Sequence, residues 1–174
     1  MPEPWLRGTL QDIPPFQRAV IHALELAGED LERWCGGLSD QQIDARPFGV
    51  QPVAFHLRHI SRSLDRLLTY AEGRNLTDEQ LAVLRTELDP GARRDLVFEE
   101  LRLALARSVS RVRAIEVTAL EQGRAVGKRG LPTTVAGLLV HIADHTQRHV
   151  GQAITTAKIL RSEGKGGSSA QTSK

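Results

Sequence analysis

Five of the six histidines in this 174-residue chain fall in two short segments, and imidazole is a common metal ligand. His141, His145 and His149 are spaced four residues apart. Residues at this spacing lie one turn apart on one face of a helix, so two such imidazoles can reach one metal ion. The outer two lie about 12 Å apart along a helix axis. One adjacent pair is therefore expected to supply ligands, with the third histidine beside the site.

Two further histidines, His56 and His59, lie in the segment FHLRHI. Either could supply a third ligand from across a helical bundle. Three neutral imidazoles leave one coordination position open, which is typical of catalytic rather than structural metal sites. Because an H-x-x-x-H spacing alone is a weak indication of metal binding, the same histidines could instead be surface groups or hydrogen-bonding partners. His22 stands alone and is not expected to be a ligand.

Four long amphipathic helices are predicted to carry these residues, because apolar side chains recur with helical spacing. They cover residues 14–35, 52–71, 94–121 and about 134–160. Ser39 with Gln42, and Thr77 with Gln80, are capping-box patterns that predict two short helical pieces in the connections. Residues 127–134 are predicted to form a loop, with Thr133 or Thr134 capping the fourth long helix, and no segment shows the alternation of a strand.

These elements predict an all-α fold, a four-helix bundle with short helices in the connecting loops. The long connections allow the bundle to depart from a simple up-down-up-down order. The expected domain spans residues 1–162. A tail rich in Gly, Ser and Lys follows at 163–174 and is expected to be disordered.

The overall composition excludes several classes of protein. The net charge is +2, with 23 basic and 21 acidic residues, and the basic residues form no stripe of the kind that binds nucleic acid. No apolar run approaches the length of a membrane span, and the N-terminus has no apolar signal core, so a cytoplasmic protein is expected. Cys35 is the single cysteine, which is expected to be a buried thiol.

Three segments resemble the DinB/YfiT-like family, in the same order along the chain. The run HTQRHVGQ at 145–152 is similar to the last-helix signature, where an H-x-x-x-H pair is followed by Gly-Gln. The run VAFHLRHISRSLDRLL at 53–68 is similar to the family segment in which a histidine before an aliphatic residue is the third ligand. The stretch GLSDQQ at 37–42, followed by Arg-Pro at 46–47, resembles the family connection between the first and second long helices. The resemblance covers about residues 14–161.

This resemblance implies that His59, His145 and His149 bind a divalent metal ion, with zinc and nickel favoured. It also implies a four-helix bundle and a homodimer. Val150 departs from the pattern, since many members have a basic residue there. That position is not a ligand, so the departure concerns the pocket beside the metal.

Other polar residues near the predicted ligands are candidates to orient a ligand or to bind a substrate. His141 and His56 could orient a ligand, and Asp144 or Asp65 could accept an imidazole N–H, because metal-binding histidines usually donate to such a partner. Both carboxylates are nevertheless expected first as solvated groups. A row of arginines on the second long helix could meet an anionic substrate, although a solvated face is favoured. It consists of Arg58, Arg62 and Arg66.

Three functions follow from these expectations. The first is a metal-dependent S-transferase that acts on a low-molecular-weight thiol, which the family resemblance implies, or a metal-dependent hydrolase. The second is a non-catalytic metal-binding protein of a stress response. The third is a helical scaffold or dimer whose histidines only form hydrogen bonds. The partner expected for the first is a small-molecule substrate.

Overall fold

The computed structural model describes residues 1–166, with side chains described to residue 162. Four long and two short helices make up most of it, so the predicted all-α bundle is confirmed. In chain order the helices are α1 (Pro15–Cys35), α2 (Asp40–Asp44), α3 (Val53–Ala71), α4 (Asp78–Leu84), α5 (Arg94–Arg113) and α6 (Val135–Gly166). Among the described residues, no helix is both long and apolar enough to cross a lipid bilayer.

Side-chain caps fix the starts of three helices where the sequence predicts them. Ser39 and Thr77 each form a complete capping box, at the starts of α2 and α4. The Thr134 hydroxyl accepts a hydrogen bond from the backbone N–H of Gly137 at 3.0 Å, which caps α6. These bonds satisfy backbone donors that would otherwise have no partner in the first turn.

The four long helices form a ring in which consecutive members are not always neighbours. Both α1 and α3 pack against α5 and α6, so α1 and α3 lie on a diagonal. Helices α1 and α6 run parallel, since Ala23 contacts Gln147 and Trp34 contacts Lys158 further along. The connections that hold α2 and α4 are long enough for this arrangement.

The helix α3 runs antiparallel to α6 and is buried by aliphatic packing. Leu57, Ile60, Leu64 and Leu68 are each at most 1% exposed and form the stripe that faces the bundle interior. His59 precedes Ile60 directly, so its ring lies at the edge of this core. The packing of the stripe therefore decides which way the histidines of α3 point.

The segment between α5 and α6 differs from the prediction. Helix α5 ends at Arg113 instead of continuing to residue 121, and a single turn of 3-10 helix follows at Val117–Ala119. The β-branched residues of Ile115–Thr118 explain the early end, because such side chains are less favourable in helices.

A two-stranded antiparallel hairpin then leads into α6, where only a loop was predicted. Strand β1 (Gly123–Val126) pairs with β2 (Leu131–Thr134). Its turn uses Gly127 and Gly130, which both have positive φ. Each strand has four residues, too few for an alternating pattern to show in the sequence.

The helix α6 extends to Gly166, beyond the predicted end near residue 160. The predicted disordered tail at 163–174 therefore begins within this helix. Residues 167–174 lie outside the described part of the chain, and for them disorder stays a prediction.

The substitution Leu64→Ala should lower the free energy of unfolding by about 2–5 kcal/mol, because it opens a cavity in the packed stripe of α3. Leu64 is 1% exposed, whereas Leu96 on α5 is 59% exposed and serves as the matched control. Urea denaturation should show a change within about 0.5 kcal/mol for Leu96→Ala. Equal losses in the two variants would contradict the assignment of the core.

Candidate metal centre

Three histidines converge where α3 crosses α6. Each of His59, His145 and His149 offers one ring nitrogen, and these nitrogens all lie within 4.8 Å of one another. The Nε2 atoms of His59 and His145 are 3.3 Å apart. Two nitrogens bound tetrahedrally to one zinc ion at 2.0–2.1 Å would be separated by about 3.4 Å. The donor set and its spacing therefore fit a divalent metal ion.

The positions of the rings show which adjacent pair on α6 shares the cluster. The ring centroids of His145 and His149 are 4.6 Å apart. The ring centroid of His59 lies 5.0 Å from that of His145 and 4.4 Å from that of His149. His141 lies one turn earlier, with its ring 5.3 Å from that of His145 and its Nδ1 3.9 Å from Asp144. It is half exposed and stands beside the cluster.

A buried carboxylate that sequence reasoning missed fixes the orientation of His59. The Nδ1 atom of His59 lies 2.7 Å from Glu87 Oε2, and Glu87 Oε1 accepts a hydrogen bond from Arg66 at 3.2 Å. Glu87 is only 5% exposed. When Nδ1 carries the proton and donates it to Glu87, the lone pair of Nε2 points at His145, as in carboxylate–histidine–metal arrangements.

The charge of Glu87 is maintained despite its burial. Burial by itself would raise the pKa of this carboxyl, but the hydrogen bond from His59 and the ion pair with the Arg66 guanidinium outweigh it and lower the pKa. The carboxylate is therefore ionised at neutral pH and acts as an acceptor for both partners. No spacing in the sequence marks Glu87, which follows α4 in an irregular segment.

His56 supports the cluster from the other side. It is 4% exposed, and its Nδ1 lies 3.1 Å from Nδ1 of His149, so one of these two atoms donates to the other. This contact occupies Nδ1 of His149 and leaves its Nε2 free for a metal ion. The geometry thus groups His59 with the pair on α6 and places His56 next to a candidate ligand.

The buried imidazoles are neutral at physiological pH. Burial, together with charge repulsion from neighbouring histidines, lowers the pKa of His56, His145 and His149 to about 4 each. Nδ1 of His145 is buried without a hydrogen-bond partner among the described residues. Neutral rings offer lone pairs, which metal binding requires.

The two aspartates considered as orienting groups bind elsewhere. Asp65 pairs with Arg111 at 2.7 Å and accepts a hydrogen bond from Gln80. Asp144 pairs with Arg148 at 2.7 Å on the surface of α6. The structure places Glu87 in the role for which Asp65 and Asp144 were considered.

The arginine row on α3 is not the solvated face that was favoured. Arg58 donates to the carbonyl of Asp89, and Arg62 donates to Glu100, to Thr86 and to the carbonyl of Val83. Arg66 donates to Glu87. The row fastens residues 83–89 against α3, and this segment carries Glu87 to the histidines.

Cys35 takes no part in the cluster. It is fully buried, and burial raises the pKa of its thiol to about 12. The prediction of a buried thiol is therefore confirmed. Val150 is 2% exposed and packs in the core, so this chain carries no charge at that position.

The chain belongs to the DinB superfamily, whose family model matches residues 23–153. Its structure is similar to that of a conserved protein from Enterococcus faecalis, with a TM-score of 0.68 and 17% sequence identity over 84% of this chain and 97% of the other. It is also similar to YfiT from Bacillus subtilis, with a TM-score of 0.65 and 14% identity over 83% of this chain and 87% of YfiT. YfiT is described as a probable metal-dependent hydrolase with an unusual four-helix bundle topology. No curated protein matches the chain.

Without metal, the free energy of unfolding should fall as the pH is lowered from about 6.5 to about 4. The folded-state pKa of His56, His145 and His149 is about 4, below the ordinary 6.5, so the unfolded chain takes up protons first. Urea denaturation at a series of pH values measures the slope.

The variant His56→Asn should make this slope shallower by up to about 1.4 kcal/mol per pH unit, because one buried imidazole is gone. The control is Leu96→Ala, which changes an exposed side chain with no titratable group and should leave the slope unchanged. A slope in His56→Asn equal to that of the parent would show that burial does not hold these rings neutral.

Proposed function

We propose that this protein is a divalent-metal-dependent enzyme in which His59, His145 and His149 are the protein ligands. The supporting observation is the convergence of three ring nitrogens within 4.8 Å, with two Nε2 atoms facing each other at 3.3 Å. Three imidazole ligands leave a coordination position for water or substrate. Zinc and nickel are the ions we propose first, since imidazole suits both.

The protein's own residues orient the candidate ligands of this site. Glu87 holds the proton on Nδ1 of His59, and Arg66 holds Glu87. His56 restrains His149 through their Nδ1 atoms. A divalent ion bound there would supply Lewis acidity and lower the pKa of a water molecule or a thiol, which makes either a better nucleophile at neutral pH.

Two reactions are proposed for such a nucleophile. Transfer of a low-molecular-weight thiol to an electrophile is supported by the resemblance of residues 145–152 and 53–68 to the family segments. Hydrolysis is supported by the description of YfiT as a probable metal-dependent hydrolase. Both require only the three ligands and an open position. A homodimer is proposed from the family resemblance alone.

The purified protein should contain about one divalent metal ion per chain after incubation with zinc or nickel, and His145→Ala should lose it. The variant His141→Ala should keep the metal, because His141 stands beside the cluster. Elemental mass spectrometry after removal of free metal measures both. Retention of metal by His145→Ala, or its absence from the parent, would overturn the ligand set.

The variant Glu87→Gln should bind zinc about 10–100-fold more weakly than the parent, because a neutral amide orients His59 less strongly than a carboxylate. Competition with a chromophoric chelator measures the dissociation constant. Glu100→Gln is the matched control, since Glu100 also pairs with an arginine of α3 but does not contact a histidine. Equal affinities in the two variants would show that Glu87 does not orient a ligand.

Metal-loaded protein should accelerate one of two test reactions, and His145→Ala should reduce either rate to background. Conjugation of a bacterial thiol to 1-chloro-2,4-dinitrobenzene reports transfer, and cleavage of p-nitrophenyl acetate reports hydrolysis. Metal binding without either activity would favour the non-catalytic alternative. A rate that is the same in parent and variant would exclude the histidine cluster as its source.

A further inference from the structure

A groove of about 740 Å³ lies between α6 and the segment that leads into α3. Its lining includes Val50, Phe55, His56, Arg148, Gly151 and Ile159. Val50, Phe55 and Ile159 are its apolar side chains, and the remainder of the lining is mainly uncharged and polar. The groove thus combines apolar and polar surface, as sites for small molecules do.

The groove adjoins the candidate metal centre. His56 forms part of its wall and lies 3.1 Å from His149 through their Nδ1 atoms. The Phe55 ring also lines it and stacks on His59, with ring centroids 5.3 Å apart. A molecule in the groove would therefore lie against side chains that touch two of the candidate ligands.

Gly151 adds no side chain to the groove, and it lowers the stability of helix α6 relative to alanine. Glycine inside a helix is destabilising relative to alanine, so packing usually explains it. Packing explains Gly28 in α1, because an added Cβ would lie 3.1 Å from Leu105. At Gly151 an added Cβ would meet no atom within 4 Å, so no neighbour in the described structure requires a glycine. The open space beside Gly151 is part of the groove.

The charge of the groove selects the type of molecule. Arg148 is the one Asp, Glu, Lys or Arg side chain of the described residues that lines it. It pairs with Asp144 at 2.7 Å, and both side chains are more than half exposed. Exposed ion pairs are weak, so the anionic group of a ligand can replace Asp144. Guanidinium groups bind carboxylate and phosphate in the same two-pronged geometry.

We propose that this groove binds the substrate, and that the substrate is a small amphipathic anion. Its apolar chain or ring would lie against Phe55, Gly151 and Ile159, and its anionic group would pair with Arg148. This inference rests on the proposed function for the link between groove and chemistry, whereas binding to the groove can be measured without metal.

The test is a titration of the full chain with 4-phenylbutyrate, followed by ¹H–¹⁵N NMR and repeated with bound zinc. Amide shifts should saturate and cluster around Gly151 and Gln152. Both Gly151→Leu and Arg148→Gln should raise the dissociation constant about tenfold or more. Gly151→Leu should also have a melting temperature equal to or above that of the parent, which a purely structural glycine would not allow.

Three controls make the outcomes decisive. Arg93→Gln removes another exposed, ion-paired arginine and should leave binding unchanged. Neutral 4-phenylbutanol and inorganic phosphate should each bind more weakly than 4-phenylbutyrate. If Gly151→Leu does not fold, Gly151→Ala and Arg148→Gln carry the test.

The proposal is overturned if the amide shifts cluster elsewhere in the chain, or if neither variant changes the dissociation constant. Failure of the parent to bind zinc would overturn the proposed function, and saturable binding of 4-phenylbutyrate would still support the ligand class of the groove. If the parent binds zinc but not 4-phenylbutyrate, the proposed metal site is supported and the proposed ligand class of the groove is overturned.

Discussion

The antiparallel packing of α3 against α6 is the constraint on which the candidate centre depends. The buried stripe of α3 fixes the rotation of that helix, and His59 lies beside it at the edge of the core. On α6 the spacing of four places His145 and His149 on the same face. Their nitrogens meet within 4.8 Å because the two helices cross at these positions. A rotation of either helix would separate these nitrogens.

The connection between α3 and α5 stabilises this arrangement from outside the bundle. Both helices run in the same direction, as the contacts of Arg62 with Glu100 and of Glu72 with Arg111 indicate. The chain must therefore return along the length of α3, and the arginines of α3 bind the returning segment at Asp89, at Val83 and at Glu87. The topology requires this long connection, and the connection contains Glu87, whose carboxylate contacts His59.

The sequence could predict the parts of this structure that depend on local spacing. The long helices, the two capping boxes and the expectation that one adjacent pair among the histidines of α6 supplies ligands follow from side chains a few residues apart, whereas the choice of His145 with His149 came from the family resemblance. The early end of α5 and the hairpin were missed because short β-branched and glycine-flanked stretches give little periodic signal. Glu87 could not be found, since its contact with His59 depends on how a connection folds back across α3. The choice of His59 over His56 came from family resemblance, and the geometry groups the same three residues.

The groove beside the histidines is lined by α6 and the start of α3, the two helices that also carry the candidate metal ligands. Helix α6 carries candidate ligands on one face and Arg148 and Gly151 on a neighbouring one, so a molecule bound in the groove would lie against His56, which contacts the candidate ligand His149. Position 150, next to the candidate ligand His149, is a buried valine. Arg148, by contrast, lies on the surface and pairs with Asp144.

The most direct test of the central claim is long-range ¹H–¹⁵N NMR of the imidazole rings, with and without one equivalent of zinc. We expect His59, His145 and His149 to change to metal-bound nitrogen shifts together. His59 should bind through Nε2 and keep its proton on Nδ1, and His22 should not change. Binding through His22 or His141 instead, or proton loss from Nδ1 of His59, would contradict the account.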